Sequence, residues 1–232
     1  AFGKWPDPAP ASGAVSEAVS APLPQWLLTP APQVPTAPVP LSPTGLGGAK
    51  AMPGPTGQDE ATALRRGNLI HLLLEHLPDV AAPDRPAKAR ALIAGTADAD
   101  YAATDTVYAE AIRVLNAPHL SHLFASHALA EVELAAALPS RDGQVMQGVI
   151  DRLIVSADHV LAVDFKSNVI VPDRPEQVPP GILLQLGAYA DMLEQIYPDR
   201  AVNLAIVWTA TAQLMPIPLN IVRAAMQIPT LP

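Results

Sequence analysis

The stretches Val149-Ile150-Asp151-Arg152-Leu153-Ile154-Val155 and Val160-Leu161-Ala162-Val163-Asp164-Phe165-Lys166 decide the fold. Both are rich in Val, Ile and Leu, and Ser156-Ala157-Asp158-His159 between them is a short polar break of the kind that closes two antiparallel strands. A turn symmetric about Ala157 and Asp158 pairs Val155 with Val160, Leu153 with Ala162, and Asp151 with Asp164. Two carboxylates then face each other across the ladder, with Cβ atoms roughly 5 Å apart, an arrangement that destabilises a sheet unless something compensates it. A hard divalent cation such as Mg²⁺ is the natural compensation.

Lys166 lies two residues beyond Asp164, so the period of a strand puts it on the same face. A carboxylate pair with an ammonium beside it suits phosphodiester hydrolysis: a bound cation acidifies water, and the lysine orients that water or neutralises developing charge. The plainer reading makes Asp151 and Arg152 a strand end and Asp164–Lys166 a surface ion pair. The matching register of the two aspartates favours the site.

Cysteine is absent, which excludes disulfides, thiolate zinc sites and iron–sulfur clusters and makes a reducing, cytoplasmic setting natural. The net charge of −8 argues against a broad basic surface that holds nucleic acid non-specifically, but not against a nuclease whose metal brings its own charge. No apolar run approaches a membrane span, and Ala1-Phe2-Gly3-Lys4-Trp5-Pro6 has neither signal-peptide regions nor a methionine, as expected of an internal, soluble fragment.

Residues 1–58 hold thirteen of the 27 prolines and read as a semi-rigid tether, with Trp26-Leu27-Leu28 as a candidate docking point. Gly45-Leu46-Gly47-Gly48-Ala49-Lys50 lacks the flanking strand and the Ser or Thr of a phosphate loop and reads as linker. The folded part is expected over 59–232. A helix over 61–77, capped by Asp59 or Thr62 and stopped by Pro78, carries Ile70, Leu73, Leu74 and Leu77 as its apolar stripe. His71 and Glu75 stand one turn apart beside that stripe, where both can point at a sheet. Taken alone, His71 equally fits a hydrogen-bonded histidine at the edge of the core.

Scaffold helices follow over 86–94 and 103–115. His119, His122 and His127 gather histidines without a completing ligand, which argues against zinc. A strand over 129–136 carries Glu131 and Glu133 on one face, and either can reach the hairpin site or face solvent. After the proline-rich loop 167–180 comes a helix over 181–196, with Gln185 and Tyr189 one turn apart. An amide beside a phenol can hold a phosphate or orient a water, or the pair can simply line a helix edge. The run 201–209 suits a buried strand, and a strand over 213–217 and a helix over 219–227 finish the chain. This order gives an α/β core with a mixed sheet, the helix 181–196 crossing over between parallel strands.

In order, Gly67-Asn68-Leu69-Ile70-His71-Leu72-Leu73-Leu74-Glu75, Gly148-Val149-Ile150-Asp151-Arg152-Leu153, Asp164-Phe165-Lys166-Ser167-Asn168 and Gln185-Leu186-Gly187-Ala188-Tyr189 resemble the successive motifs of RecB-type nucleases of the PD-(D/E)xK superfamily. The resemblance covers about residues 60–218. It implies a restriction-endonuclease-like core, a central mixed β-sheet flanked by helices, and an exonuclease-type DNase dependent on Mg²⁺, with Mn²⁺ able to substitute. His71, Asp151 and Asp164 match metal ligands, with the backbone carbonyl of Phe165 a fourth. Lys166 matches the catalytic lysine, Gln185 and Tyr189 the Gln-x-x-x-Tyr motif that supports the site, and Glu131 an additional acidic position.

The implied partners are DNA single strands from an unwound duplex, a helicase portion of the same polypeptide, and a partner subunit. No Walker-type loop stands in the folded part, so ATP hydrolysis is expected outside it. A silent DNA-guiding or docking module and a small-molecule phosphoesterase are the other readings of the same residues.

Overall fold

The expected hairpin forms with the expected turn. Strand β2, Gln144–Val155, returns as β3, His159–Lys166, and the ladder includes Val155↔Val160 and Leu153↔Ala162. The structure, a computed structural model, describes residues 40–50, 60–99, 103–138 and 143–227. All of them lie within one unit, Val39–Pro232. The Trp26-Leu27-Leu28 docking point and the Asp59 cap lie outside the described residues.

Strand β1, Ala128–Leu138, pairs antiparallel with β2. On the other side β3 pairs in parallel with β4, Ala201–Trp208, and β4 pairs antiparallel with β5, Gln213–Ile217. The sheet order is therefore β1-β2-β3-β4-β5, mixed as the crossover requires.

Helices α1 (Glu60–His76), α2 (Arg85–Ala94) and α3 (Thr104–Leu115) share one core with Val163, Phe165, Ala205 and Val207. Helices α4 (Pro180–Ile196) and α5 (Leu219–Gln227) share a second core with Val160, Ala162, Leu204 and Ile206. The two sets alternate along β3 and β4, so each core covers one face, and the α/β class follows from strands apolar on both sides. In α1, Leu69, Ile70, Leu73 and Leu74 are buried at helical spacing, Leu77 just past its end is buried with them, and the helix stops ahead of Pro78, whose ring would clash with a preceding turn. Pro180 opens α4 at the position where a missing N–H costs nothing.

Residues 40–50, read from composition as tether, lie on this domain. Leu41 takes two backbone hydrogen bonds from β2, its N–H donating to Val145 O at 2.9 Å and its carbonyl accepting from Gln147 N at 2.8 Å. Pro43 is buried. A Cβ added to Gly148 would lie 2.7 Å from Pro43 Cγ and 3.2 Å from Tyr189 Cε1, so only glycine lets the segment approach the strand. Gly148→Ala is expected to displace residues 40–50 and destabilise the domain by about 1–3 kcal/mol, the usual cost of overpacking. Faster proteolysis within 40–50 and a lower melting temperature check this.

Candidate active site

The β-ribbon changes faces at the site. In β1, Val132, Leu134, Ala136 and Leu138 pack toward α4, whereas Ala128, on the same alternation, packs toward α1–α3. In β2, Met146 and Ile150 pack toward α4, yet Ile154 packs toward α1–α3. The switch falls at Glu131 and Asp151, and Glu131 has φ 47°, the left-handed region that a glutamate adopts only under constraint. Register is kept on either side, at Ala130↔Arg152 and Val132↔Ile150, so the ribbon rotates without inserting a residue.

That rotation decides which carboxylates meet. The pairing expected between Asp151 and Asp164 is not part of the β2–β3 ladder, which ends at Arg152↔Val163. Asp151 instead turns toward α1. Its Oδ1 accepts from His71 Nδ1 at 3.1 Å, and its Oδ2 accepts the Phe165 N–H at 2.5 Å, replacing the ladder bond β3 loses there. His71, Glu131 and Asp151 each offer a ligand atom, and these lie within 4.8 Å of one another. Among the described residues they are the group of histidines and carboxylates close enough to share a cation. Glu133 is exposed and lies outside it, which separates the two glutamates.

Asp164 belongs to a second cluster. Lys166 Nζ lies 2.5 Å from Asp164 Oδ2, and Gln185 Nε2 donates to Asp164 Oδ1 at 2.9 Å while its Oε1 accepts from Lys166 at 3.1 Å. One carboxamide thus holds both members of the ion pair, which fixes its orientation. Gln185 Nε2 also donates to Tyr189 Oη at 3.0 Å, and the phenol donates to Val149 O at 2.5 Å. Gln185 and Tyr189 are both buried, so they stand behind the pair and position it. Tyr189→Phe leaves the Val149 carbonyl and a Gln185 N–H without their partner, and is expected to cost about 1–3 kcal/mol of stability. Thermal melts of the two proteins check it.

A groove of about 460 Å³ opens over the site, lined by His71, Glu75, Glu131, Phe165, Lys166 and Ser167 among others. The Phe165 ring meets His71 edge-on at 6.0 Å and so fills the groove wall. Glu75 lines the groove but is not in the ligand group. His119, His122 and His127 do not gather at a site, and His119 Nε2 instead donates to Ala212 O at 2.9 Å.

Burial disfavours every charge here, and the neighbours decide the outcome. Burial raises the Glu131 carboxyl and Asp151 adds to it, together pushing Glu131 from 4.5 up to about 7. Burial, reinforced by Asp151, also leaves Asp164 above the ordinary carboxylate range despite Lys166. For Asp151, burial is outweighed by His71, Lys166 and the Phe165 N–H, and the pKa falls. For His71, burial is outweighed by the Asp151 carboxylate, and the pKa rises. Burial, with Asp164 next, raises the Tyr189 phenol, which stays protonated.

Three carboxyls therefore crowd one imidazole and one ammonium. Oxygen donors with one imidazole suit a divalent cation, and its charge would relieve the repulsion that raises Glu131 and Asp164. Asp164 Oδ2 is buried and, apart from the lysine beside it, has no hydrogen-bond partner among the described residues. These residues fit a cation.

Arg66, Glu110 and Thr209 are not legible as site residues, although Arg66 directly precedes the Gly67–His71 motif, because the contacts that join them span 44 to 101 residues. Among the described residues no helix is long and apolar enough to cross a membrane.

No curated protein matches the chain. The crystal structure of SSO0001 is 14% identical and covers 75% of this chain and 90% of that one, at a TM-score of 0.33. The sequence pattern of the PD-(D/E)XK nuclease superfamily matches residues 46–218. The α/β core, with its mixed five-stranded sheet flanked by helices, is the fold of that match, and the nucleases of the superfamily generally depend on divalent metal. This chain belongs to the PD-(D/E)XK nuclease superfamily.

Proposed function

We propose that this nuclease domain is a metal-dependent DNase of RecB type, cutting single strands unwound by a helicase carried on the same polypeptide. The observation that carries the reading is the convergence of His71, Glu131 and Asp151 beside the Asp164–Lys166–Gln185 cluster on one groove. The proline-rich lead, Asp164-Phe165-Lys166-Ser167-Asn168 and the stretch from Ile196-Tyr197-Pro198 to Val207-Trp208-Thr209 favour the C-terminal nuclease domain of AddA. That assignment makes an AddB-type subunit the partner, double-strand-break repair and recombination the setting, and the cytoplasm the compartment. The acidic balance of the chain fits a domain to which a motor delivers the strand.

Mg²⁺ is the expected ion, with Mn²⁺ able to substitute; His71, Asp151 and Glu131 would hold it, and the resemblance adds Asp164 and the Phe165 carbonyl as ligands. When bound, the cation polarises the phosphodiester and lowers the pKa of water. The remaining work falls to the chain itself. Lys166 places its ammonium where charge develops on the phosphate, held there by Asp164 and Gln185. Tyr189 keeps Gln185 in place from behind.

The substrate is tested by comparing end-labelled single-stranded and blunt duplex oligonucleotides in Mg²⁺ and in Mn²⁺. The reading predicts cutting of the single strand with little cutting of the duplex. Binding without cutting would make the domain a DNA-guiding module, and cutting of small phosphodiesters alone would make it a phosphoesterase of another kind.

A further inference from the structure

We propose that Arg66, Glu110 and Thr209 form a buried positioning clamp that fixes the His71 helix against the end of the Lys166 strand and thereby sets the cation affinity of the site. The proposal rests on the reading of that site as a metal-dependent nuclease centre. Arg66 bridges two partners at once: one guanidinium nitrogen donates to Ser167 O at 2.7 Å, and the other pairs with Glu110. Glu110, buried on α3, accepts from Thr209 Oγ1 at 2.5 Å through its second oxygen. Thr209, just past β4, donates its own N–H to Lys166 O at 2.9 Å.

Arg66 from α1 and Thr209 past the end of β4, joined through Glu110 of α3, thus hold two consecutive carbonyls, those of Ser167 and Lys166, where β3 leaves the sheet. Arg66 stands five residues before His71 on the same helix. Its neighbour Gly67 brings the helix so close that an added Cβ would lie 3.0 Å from Ser167 Oγ. At the other end of α1, buried Arg152 donates to Leu74 O at 2.6 Å and stacks on Phe124 at 5.1 Å. The helix that presents His71 is therefore tied at both ends to the strands that present Asp151, Asp164 and Lys166. A buried ion pair is a poor way to gain stability alone, since well-packed apolar residues do as well or better. What the pair gives is directional: the planar fork of Arg66 fixes two acceptors in one geometry, which a lysine cannot do.

The experiment uses the full chain and titrates Mn²⁺ calorimetrically into wild type, Arg66→Lys, Thr209→Val, Thr209→Ser and the Arg66→Lys/Thr209→Val double variant. Val107→Ala, a truncation in the same core that leaves the hydrogen-bonding groups of the clamp in place, serves as the stability control. Arg66→Lys and Thr209→Val are each expected to weaken Mn²⁺ binding about tenfold or more, as loss of groups that orient metal ligands does. The double variant should fall short of the product of the two losses, as for members of one network. Cleavage should show a lower kcat with little change in KM for DNA. Thr209→Ser should restore affinity, and Val107→Ala should lower the melting temperature without moving it.

Wild-type Mn²⁺ affinity in Arg66→Lys and Thr209→Val would overturn the proposal, and so would equal weakening in Val107→Ala or no Mn²⁺ binding by wild type. If Arg66→Lys does not fold, the Thr209 pair decides. If wild type binds Mn²⁺ without cutting DNA, the nuclease reading fails while the titrations still judge the clamp.

Discussion

Lys166→Met is expected to slow cleavage of single-stranded DNA by about a hundredfold to a thousandfold, the loss that follows removal of one positioned donor from a transition state. Methionine keeps the length of the aliphatic stem and removes only the charge that lies 2.5 Å from Asp164 Oδ2 and 3.1 Å from Gln185 Oε1. The fold should survive the change. Asp164 is already raised by burial and by Asp151, so without its cation it takes a proton instead of standing as a bare buried charge. Single-turnover cleavage and thermal melts separate the two effects. A variant that cuts at the wild-type rate would remove Lys166 from the chemistry.

Without metal, the protein is expected to become less stable as pH rises through the window from 4.5 to about 7 over which Glu131 titrates. Folded Glu131 still holds its proton at pH values where the unfolded chain has released it, so the folded state binds more protons and stability falls with pH. Asp164, raised by burial, acts in the same direction from its ordinary value of 3.8 upward. His71 does too: what it gains from Asp151 is fully present below 6.5 and lost as pH rises through its higher folded value. Asp151 is depressed, so its contribution is present above 3.8 and is lost only on acidification, outside this window.

Melts in EDTA between about pH 5 and about pH 8 should therefore show a declining midpoint. Glu131→Gln should flatten the decline, and Mg²⁺ should restore stability at the alkaline end in proportion to its binding. A midpoint that rises over this range, or a Glu131→Gln profile identical to wild type, would show that the carboxyls are not crowded as described.

The hairpin is legible because its two arms and its polar break are local features, and local features fix register. The Val155↔Val160 and Leu153↔Ala162 pairs follow from the sequence alone. The meeting of Asp151 with Asp164 does not. It assumes that alternation continues, and nothing in Ala130-Glu131-Val132 announces a left-handed glutamate or a ribbon that changes faces there. For the same reason a period of two places Glu131 and Glu133 together, whereas the rotation brings only Glu131 to His71 and Asp151.

Residues 40–50 read as tether because proline-rich composition carries no periodicity, although a Gly148 without a side chain is what admits them. Helix α4 shows its Gln185 and Tyr189 at one-turn spacing, yet their role behind the ion pair depends on β3 lying over them, a contact between residues 19 to 21 positions apart. Motif order is legible in the sequence; the partners that hold each motif residue in place are long-range, and folding alone supplies them.

Cleavage of an end-labelled single-stranded oligonucleotide by the 232-residue chain in Mg²⁺, with EDTA and Asp151→Asn alongside, tests the site and its chemistry together. The expected result is cutting in Mg²⁺ that is lost in EDTA and lost in Asp151→Asn. Cutting that persists in EDTA, or in Asp151→Asn at the wild-type rate, would contradict the assignment of a metal-dependent nuclease centre at His71, Glu131 and Asp151.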